Sequence, residues 1–260
     1  MQNMNDGEIV KQQYQNADKL NIRIMLHHKY STNKTPFGDW IVSNYKIKQG
    51  SRVLELGCGT GDIWKEHLDL IDDASQLILS DFSEGMLKTA KENLGEHPNV
   101  EYQVINIQNI PFENDSFDVV IANMMLYHVP NLQKGLSEVA RVLKESGTFY
   151  CATYGENGII HYMEGLLKEY GLKDTTNKAF TLQNGEEILT GHFRRVRKLE
   201  REDGLAITNL EDMMDYIYSC TSMTNVADLD RKVLREILRN QMVDGVLHIP
   251  KEYGMFVCEK

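Results

Sequence analysis

The stretch Val53-Leu54-Glu55-Leu56-Gly57-Cys58-Gly59-Thr60-Gly61 decides how the rest of the chain is read. Val53, Leu54 and Leu56 form a short apolar strand, Glu55 sets a carboxylate inside it, and glycines then fall at every second position. A buried strand ending in such a run must turn tightly. Glycine has no Cβ, so it accepts positive φ and lets a ligand approach outward-pointing backbone N–H groups. This is the chemistry of a nucleotide site, and the spacing says of which kind. A dinucleotide fingerprint reads Gly-x-Gly-x-x-Gly and a triphosphate loop requires Gly-Lys-Ser/Thr. Gly57, Gly59 and Gly61 instead follow Gly-x-Gly-x-Gly, with no lysine in place.

A second strand, Leu77-Ile78-Leu79-Ser80, ends at Asp81, twenty residues beyond Gly61. A carboxylate at that distance accepts from both ribose hydroxyls of an adenosine laid over the glycine loop. The acid alone suits NAD equally well. The continuation Asp81-Phe82-Ser83-Glu84-Gly85-Met86-Leu87 has the pattern D-x-S-x-x-M-L, and Glu55 to Gly61 has the pattern E-x-G-x-G-x-G. In both segments the chain resembles the class I S-adenosylmethionine-dependent methyltransferases, of the small-molecule, type 11-like kind.

The resemblance implies S-adenosyl-L-methionine as cofactor and S-adenosyl-L-homocysteine as product. It places Glu55, Gly57, Cys58, Gly59, Thr60, Gly61, Asp81, Phe82 and Met86 around them. In many relatives a third loop carries an aspartate that binds the adenine amino group. Here Asn106, followed by Ile107, stands at that position after the strand Val100–Ile105. Asparagine keeps one acceptor and two donors but loses the charge-assisted bond; a simple turn asparagine is the other reading. The implied fold is α/β and Rossmann-like: a seven-stranded, mostly parallel sheet with helices on both faces and an antiparallel last strand. N-terminal helices and a lid insertion in the C-terminal half complete it.

The residue pattern agrees, since strands and helices alternate as a parallel sheet with right-handed crossovers requires. Helices are expected over Asp62–Leu70, with its positive N-terminal end toward the ligand, and over Met86–Leu94 and Leu132–Leu143. Phe117–Asn123 is a nearly continuous apolar run, as a strand covered on both faces should be. A turn at Lys144–Gly147 leads into a fifth strand, Thr148–Thr153. The loop Asn123-Met124-Met125-Leu126-Tyr127-His128-Val129 follows the strand expected beside the first, where ligands bind in open α/β sheets. By resemblance Asn123 and Met124 hold the methionine part of the cofactor. His128 has the natural pKa of a general base, or it packs the loop. Tyr127 offers a ring face to a cation, or fills the core.

Around this core, residues 1–50 read as a helical cover, 51–154 as the cofactor-binding core, 155–225 as a lid or substrate region with a late strand, and 226–260 as a final helix and strand. A helix is expected over Glu8–Leu26, broken at His27-His28-Lys29-Tyr30-Ser31-Thr32, with a second over Phe37–Asn44. Tyr14, Tyr30 and Trp40 either line the cofactor and acceptor site or pack as core. His27 and His28 point in different directions on a helix and do not make a metal pair. Tyr162, Met163, Phe180, Met213, Met214 and Tyr216 are candidates for an acceptor pocket or for plain core. Late strands are expected over Phe193–Leu199 and Tyr253–Cys258.

The 260 residues carry a net charge of −10, which argues against a nucleic-acid partner. Arg194, Arg195, Arg197 and Lys198 fit a solvated edge strand. Cys58, Cys151, Cys220 and Cys258 lack the spacing of a zinc site or a disulfide framework. They are expected to be reduced thiols in a soluble, cytoplasmic protein. No apolar run approaches the roughly 18 residues of a membrane span. The expected function is methyl transfer to a small-molecule acceptor. A cofactor-binding regulatory protein on the same scaffold and an NAD-dependent oxidoreductase are the alternatives.

Overall fold

The computed structural model describes residues 17–71, 75–220, 223–224 and 229–260. The chain divides into two compact units. Among the described residues, one comprises those within 37–153, 179–199 and 254–260, and the other those within 17–36, 154–178 and 200–253.

The first unit is built on β1 (Arg52–Leu56), β2 (Gln76–Asp81), β3 (Val100–Val104), β4 (Phe117–Ile121) and β5 (Leu143–Tyr154). They pair in parallel within a mixed seven-stranded sheet of order β3-β2-β1-β4-β5-β9-β7, where β7 is Arg195–Ile207 and β9 is Leu247–Glu259. Leu54 sits between Ile78 and Val120 in register. Leu54, Ile78, Val120, Phe149 and Cys151 feed one core cluster, while Val53, Leu77, Val119, Tyr150 and Ala152 feed another. Successive side chains leave a strand on opposite faces, so two cores, one on each face, explain why these strands are apolar throughout. The chain runs outward from β1 to β3 and then returns to β4, so the order reverses between β1 and β4. The glycine loop and Asn123 follow those two strands.

Two helices of this unit match their expected places. The helix α3 (Glu84–Leu94) is capped by Ser83, whose Oγ accepts from the Met86 N–H, and α4 (Leu132–Val142) by Asn131, whose Oδ1 accepts from the Lys134 N–H. The preceding α2 is Phe37–Val42, and a short α6 covers Gly185–Thr190. Other expectations are corrected. Asp62–Leu70 is not one helix but two 3-10 turns, Asp62–Trp64 and Leu68–Leu70. The cause is Trp64, fully buried with its indole N–H held by Glu55, which draws the chain inward after one turn. The turn expected at Lys144–Gly147 lies within β5, and its irregularity survives as a register shift against β4 between Phe117 and Val119.

The second unit has its own core, including Leu26, Met163, Leu205, Met213, Ile217, Leu234 and Leu247. Its helices are α1 (Ala17–Tyr30), α5 (Ile159–Leu167), α7 (Leu210–Ser219) and α8 (Arg231–Arg239). The strands β6 (Lys173–Asp174) and β8 (Met223–Thr224) form a small antiparallel pair. Helix α1 continues through the expected break at His27-His28-Lys29. Leu26 and Tyr30, four residues apart, share its buried face, and the Tyr30 hydroxyl and Lys29 Nζ donate to Asp212 at 2.5 and 2.7 Å. The N-terminal part of the helix expected over Glu8–Leu26, Tyr14 included, lies outside the described residues. Both late strands are longer than expected, since alternation continues past the charged positions: Arg201, Leu205 and Ile207 are all buried along β7. Among the described residues no helix is long and apolar enough to cross a membrane, and no group of three or more metal-ligating side chains is found.

Candidate cofactor site

The loop after β1 is shaped by left-handed backbone at Gly57 and Gly59, with φ of 74° and 57°. A Cβ on Gly57 would lie 2.9 Å from Met125 Cγ, so two loops meet there without room for a side chain. A Cβ on Gly59 would meet nothing within 4 Å. The backbone at Gly59 therefore faces open space. The Cys58 N–H ties the loop to β2 through the Ser80 carbonyl at 2.9 Å, and the Ser80 hydroxyl donates to the Glu55 carbonyl at 2.7 Å.

Asp81 joins the two strand ends. Its Oδ2 accepts from the Gly59 N–H at 3.0 Å and its Oδ1 from the Ser83 N–H at 2.8 Å. Each oxygen keeps a lone pair for a further donor. Burial pushes the carboxyl up from its ordinary value, opposed by the backbone N–H groups of Ser83 and Gly59.

Behind the loop lies a polar network in which sequence reasoning named Glu55 and Asn123 but missed two partners. Glu55 Oε2 accepts from the Trp64 indole N–H at 2.6 Å. Asn123 Nδ2 donates to the Tyr45 hydroxyl at 2.7 Å and faces Glu55 Oε1 at 3.5 Å. The Tyr45 ring is held 5.0 Å from Tyr150 and 6.4 Å from Trp64. Fixed this way, the Asn123 amide leaves its Oδ1 buried with no hydrogen-bond partner. Burial raises Glu55 to about 7, with the Trp64 and Asn123 bonds opposing. No local sequence signal marks Tyr45, because its partner is 78 residues away.

The loop after β4 carries the other candidates. Met124 adopts φ of 54° while its N–H donates to the Ala152 carbonyl at 2.8 Å. His128 closes the short turn Leu126–His128; its ring stands 4.5 Å from the Tyr127 ring, and its Nδ1 is buried without a partner. Burial lowers its pKa, which favours the uncharged imidazole.

The remaining candidates are placed as follows. Phe82 is 56% exposed beside Asp81, and Met86 is half-buried in the first turn of α3. Burial pushes the Cys58 thiol far above its usual range, so it is an inert packing group. The Thr60 hydroxyl donates to Asp62, and its carbonyl accepts from Asn93. Asn106 Oδ1 already accepts from the Gln108 N–H at 2.9 Å, and the Ile107 side chain is buried in the core. Trp40 stacks on Phe37. Tyr30 belongs to the other unit, where its hydroxyl meets Asp212. Met163, Phe180, Met213 and Met214 are fully buried, and Tyr216 nearly so.

Residues 54–151 match the family described as "Methyltransferase domain". The fold, the glycine loop, the acid at the end of β2 and this match agree: residues 54–151 are similar to a methyltransferase domain, within an α/β fold of the Rossmann-like methyltransferase kind. Among curated proteins the chain is similar to the ubiquinone/menaquinone biosynthesis C-methyltransferase UbiE of Pseudoalteromonas translucida, at 33% identity over 109 residues. That alignment covers 41% of this chain and 43% of the relative. The corresponding protein of Escherichia coli O1:K1 / APEC is 35% identical over 104 residues, 39% of this chain and 41% of the relative. The alignments thus span less than half of these relatives. Among solved structures the fold is similar to phosphoethanolamine N-methyltransferase 2 of Haemonchus contortus in complex with S-adenosyl-L-methionine. The TM-score is 0.60 at 18% identity, covering all of this chain and 60% of that one. It is also similar to the YcgJ protein of Bacillus subtilis, with a TM-score of 0.55 at 18% identity over 86% of this chain and 97% of that one.

The residues present fit the cofactor of such methyltransferases. Asp81 has the carboxylate that a ribose diol would need, Gly59 an uncovered stretch of backbone, and Asn123 a buried acceptor without a partner, which would suit an ammonium group.

Proposed function

We propose that the protein transfers the methyl group of S-adenosylmethionine to a small-molecule acceptor. The observation that carries this reading is the joining of the glycine loop to Asp81 through the Gly59 N–H, with open space over Gly59. In that arrangement Asp81 accepts from ribose hydroxyls, the exposed Phe82 offers its ring to the adenine, and Asn123 Oδ1 takes a hydrogen bond from the ammonium group. When bound, S-adenosylmethionine supplies a methyl group on a sulfonium, already activated for displacement by an acceptor atom. The protein's contribution is then chiefly alignment, and orientation of this kind supplies about 7–11 kcal/mol in favourable cases. His128 Nδ1, neutral and uncommitted, receives the proton that an acceptor gives up. The C-methylation named for the sequence relatives and the N-methylation named for the structural neighbour both support a small organic acceptor.

Calorimetric titration with S-adenosylmethionine, S-adenosylhomocysteine and NADH, on the wild type and on Asp81→Ala, tests the cofactor assignment. Both sulfur compounds are expected to bind. The variant should bind them roughly ten- to a hundredfold more weakly, as loss of a charged hydrogen-bond acceptor implies. Binding of NADH in their place overturns the assignment. Incubation with methyl-labelled cofactor and a protein-free metabolite extract then tests the acceptor class; label found only in macromolecules, added separately, overturns it.

A further inference from the structure

Asn106 stands just past the end of β3, and backbone donors settle which way its amide faces. The Gln108 N–H donates to Asn106 Oδ1 at 2.9 Å, and Gln108 Nε2 approaches the same oxygen at 3.4 Å. The Gln108 amide is oriented in turn by the Asn131 N–H, which donates to Gln108 Oε1 at 2.9 Å. The Asn106 carbonyl accepts from the Asn109 N–H at 2.8 Å and closes the turn. A backbone N–H only donates, so the atom that it meets on each amide is the oxygen. Asn106 Oδ1 is therefore spent inside its own turn. What the exposed side chain has left is Nδ2, two donors with no acceptor among the described residues.

The place of Asn106 in the sheet gives those donors a ligand group to meet. In the order β3-β2-β1-β4, Asn123 follows β4, the glycine loop follows β1, and Asp81 ends β2. Neighbouring strands lie about 4.8 Å apart. On the reading proposed above, on which this inference rests, the ammonium group lies at β4 and the ribose at β2, so the base continues the same line to the end of β3. Val104, the last residue of β3, pairs in register with Asp81, and the Ile105 N–H donates to the Asp81 carbonyl at 3.2 Å. Asn106 is the next residue. Phe82, which follows Asp81, and Val104, its register partner, are 56% and 51% exposed and offer apolar surface for a base to cover.

We infer that Asn106 reads the base of the cofactor as a hydrogen-bond acceptor, donating from Nδ2 to a ring nitrogen. An aspartate in this place would offer an acceptor to the 6-amino group of adenine. The asparagine, with its oxygen spent, offers that group nothing. The site is then indifferent to the 6-amino group and takes a purine nucleoside without it as well as one with it.

The test is calorimetric titration of the full chain with S-adenosylhomocysteine and with its 6-deamino analogue, in which purine replaces adenine. The two ligands share every ring nitrogen and differ only in the amino donor. Their dissociation constants for the wild type are expected to agree within about threefold, since less than one net hydrogen bond separates them. Asn106→Asp puts a carboxylate oxygen in place of Nδ2 and should favour S-adenosylhomocysteine by about tenfold or more, through a charge-assisted bond to the amino group. Asn106→Ala should weaken both ligands alike. A wild-type preference for S-adenosylhomocysteine beyond about threefold overturns the inference. So do an Asn106→Asp ratio equal to that of the wild type and an Asn106→Ala variant that binds both ligands unchanged. If neither ligand binds the wild type, the cofactor assignment falls and this inference with it; if both bind and the ratios disagree, the inference falls alone.

Discussion

Replacing Glu55 by glutamine perturbs the polar network of the cofactor site at its centre, and the structure fixes both the sign and the size of the effect. In the folded chain burial raises the carboxyl from 4.5 to about 7. Between those values the folded state holds a proton that the unfolded state has released. Stability contributed by this group is therefore full below pH 4.5, falls as pH rises, and is lost above about 7. At 1.36 kcal/mol for each pKa unit, the difference amounts to about 3 kcal/mol. That is a large share of a typical folding free energy of about 5–15 kcal/mol. Glutamine keeps an oxygen for the Trp64 indole N–H but cannot ionise. Urea unfolding of the cofactor-free wild type and Glu55→Gln, followed by tryptophan fluorescence at pH 4.5 and pH 8, isolates the term, since other titrating groups are common to both. The wild type is expected to lose about 3 kcal/mol relative to the variant across that interval. A difference that stays flat, or that favours the wild type at the higher pH, refutes the reasoning.

Two further outcomes follow from the same loops. Gly57→Ala combines left-handed backbone with a Cβ 2.9 Å from Met125 Cγ, so it should cost about 2–5 kcal/mol from strain and overpacking together. Gly59→Ala carries the strain but meets no atom within 4 Å and should cost about 1–2 kcal/mol; equal urea midpoints for the two would contradict the assigned contact. His128, lowered by burial, should titrate below pH 6.5 when its ring protons are followed by NMR. Its replacement by phenylalanine should slow methyl transfer about 10²–10⁴-fold if it is the base, and an unchanged rate removes it from that role.

The parallel core was legible in the sequence because periodicity is local. Val53, Leu54 and Leu56, Leu77 to Leu79, and Val119 to Ile121 are apolar at successive positions, which only a strand covered on both faces requires. The glycine spacing and Asp81 were legible for the same reason, each being a feature of one short segment. The pattern failed where a single long-range contact outweighs the local preference. Asp62–Leu70 reads as a helix, yet the fully buried Trp64 stops it after one turn. Through α1 the converse holds, since Tyr30 and Lys29 meeting Asp212 carry the helix across a polar stretch that reads as its end.

The same contacts decide what kind of site the loops make. Glu55 stands nine residues before Trp64 and 68 before Asn123, so its partners are a matter of topology, and only the carboxylate itself could be read in advance. Trp64 occupies one carboxylate oxygen of Glu55 and Tyr45 takes an Asn123 amide hydrogen, which leaves Asn123 Oδ1 as the acceptor that the proposed reading gives to a ligand. On the proposed reading, the acid of the glycine motif orients the residues behind the loop, through its contacts with Trp64 and Asn123. Asp81, with backbone donors on both oxygens and lone pairs remaining, is the carboxylate that the proposed reading gives to the ligand. Two acids that look alike in sequence thus take different roles because one is enclosed by side chains and the other lies at an open strand end.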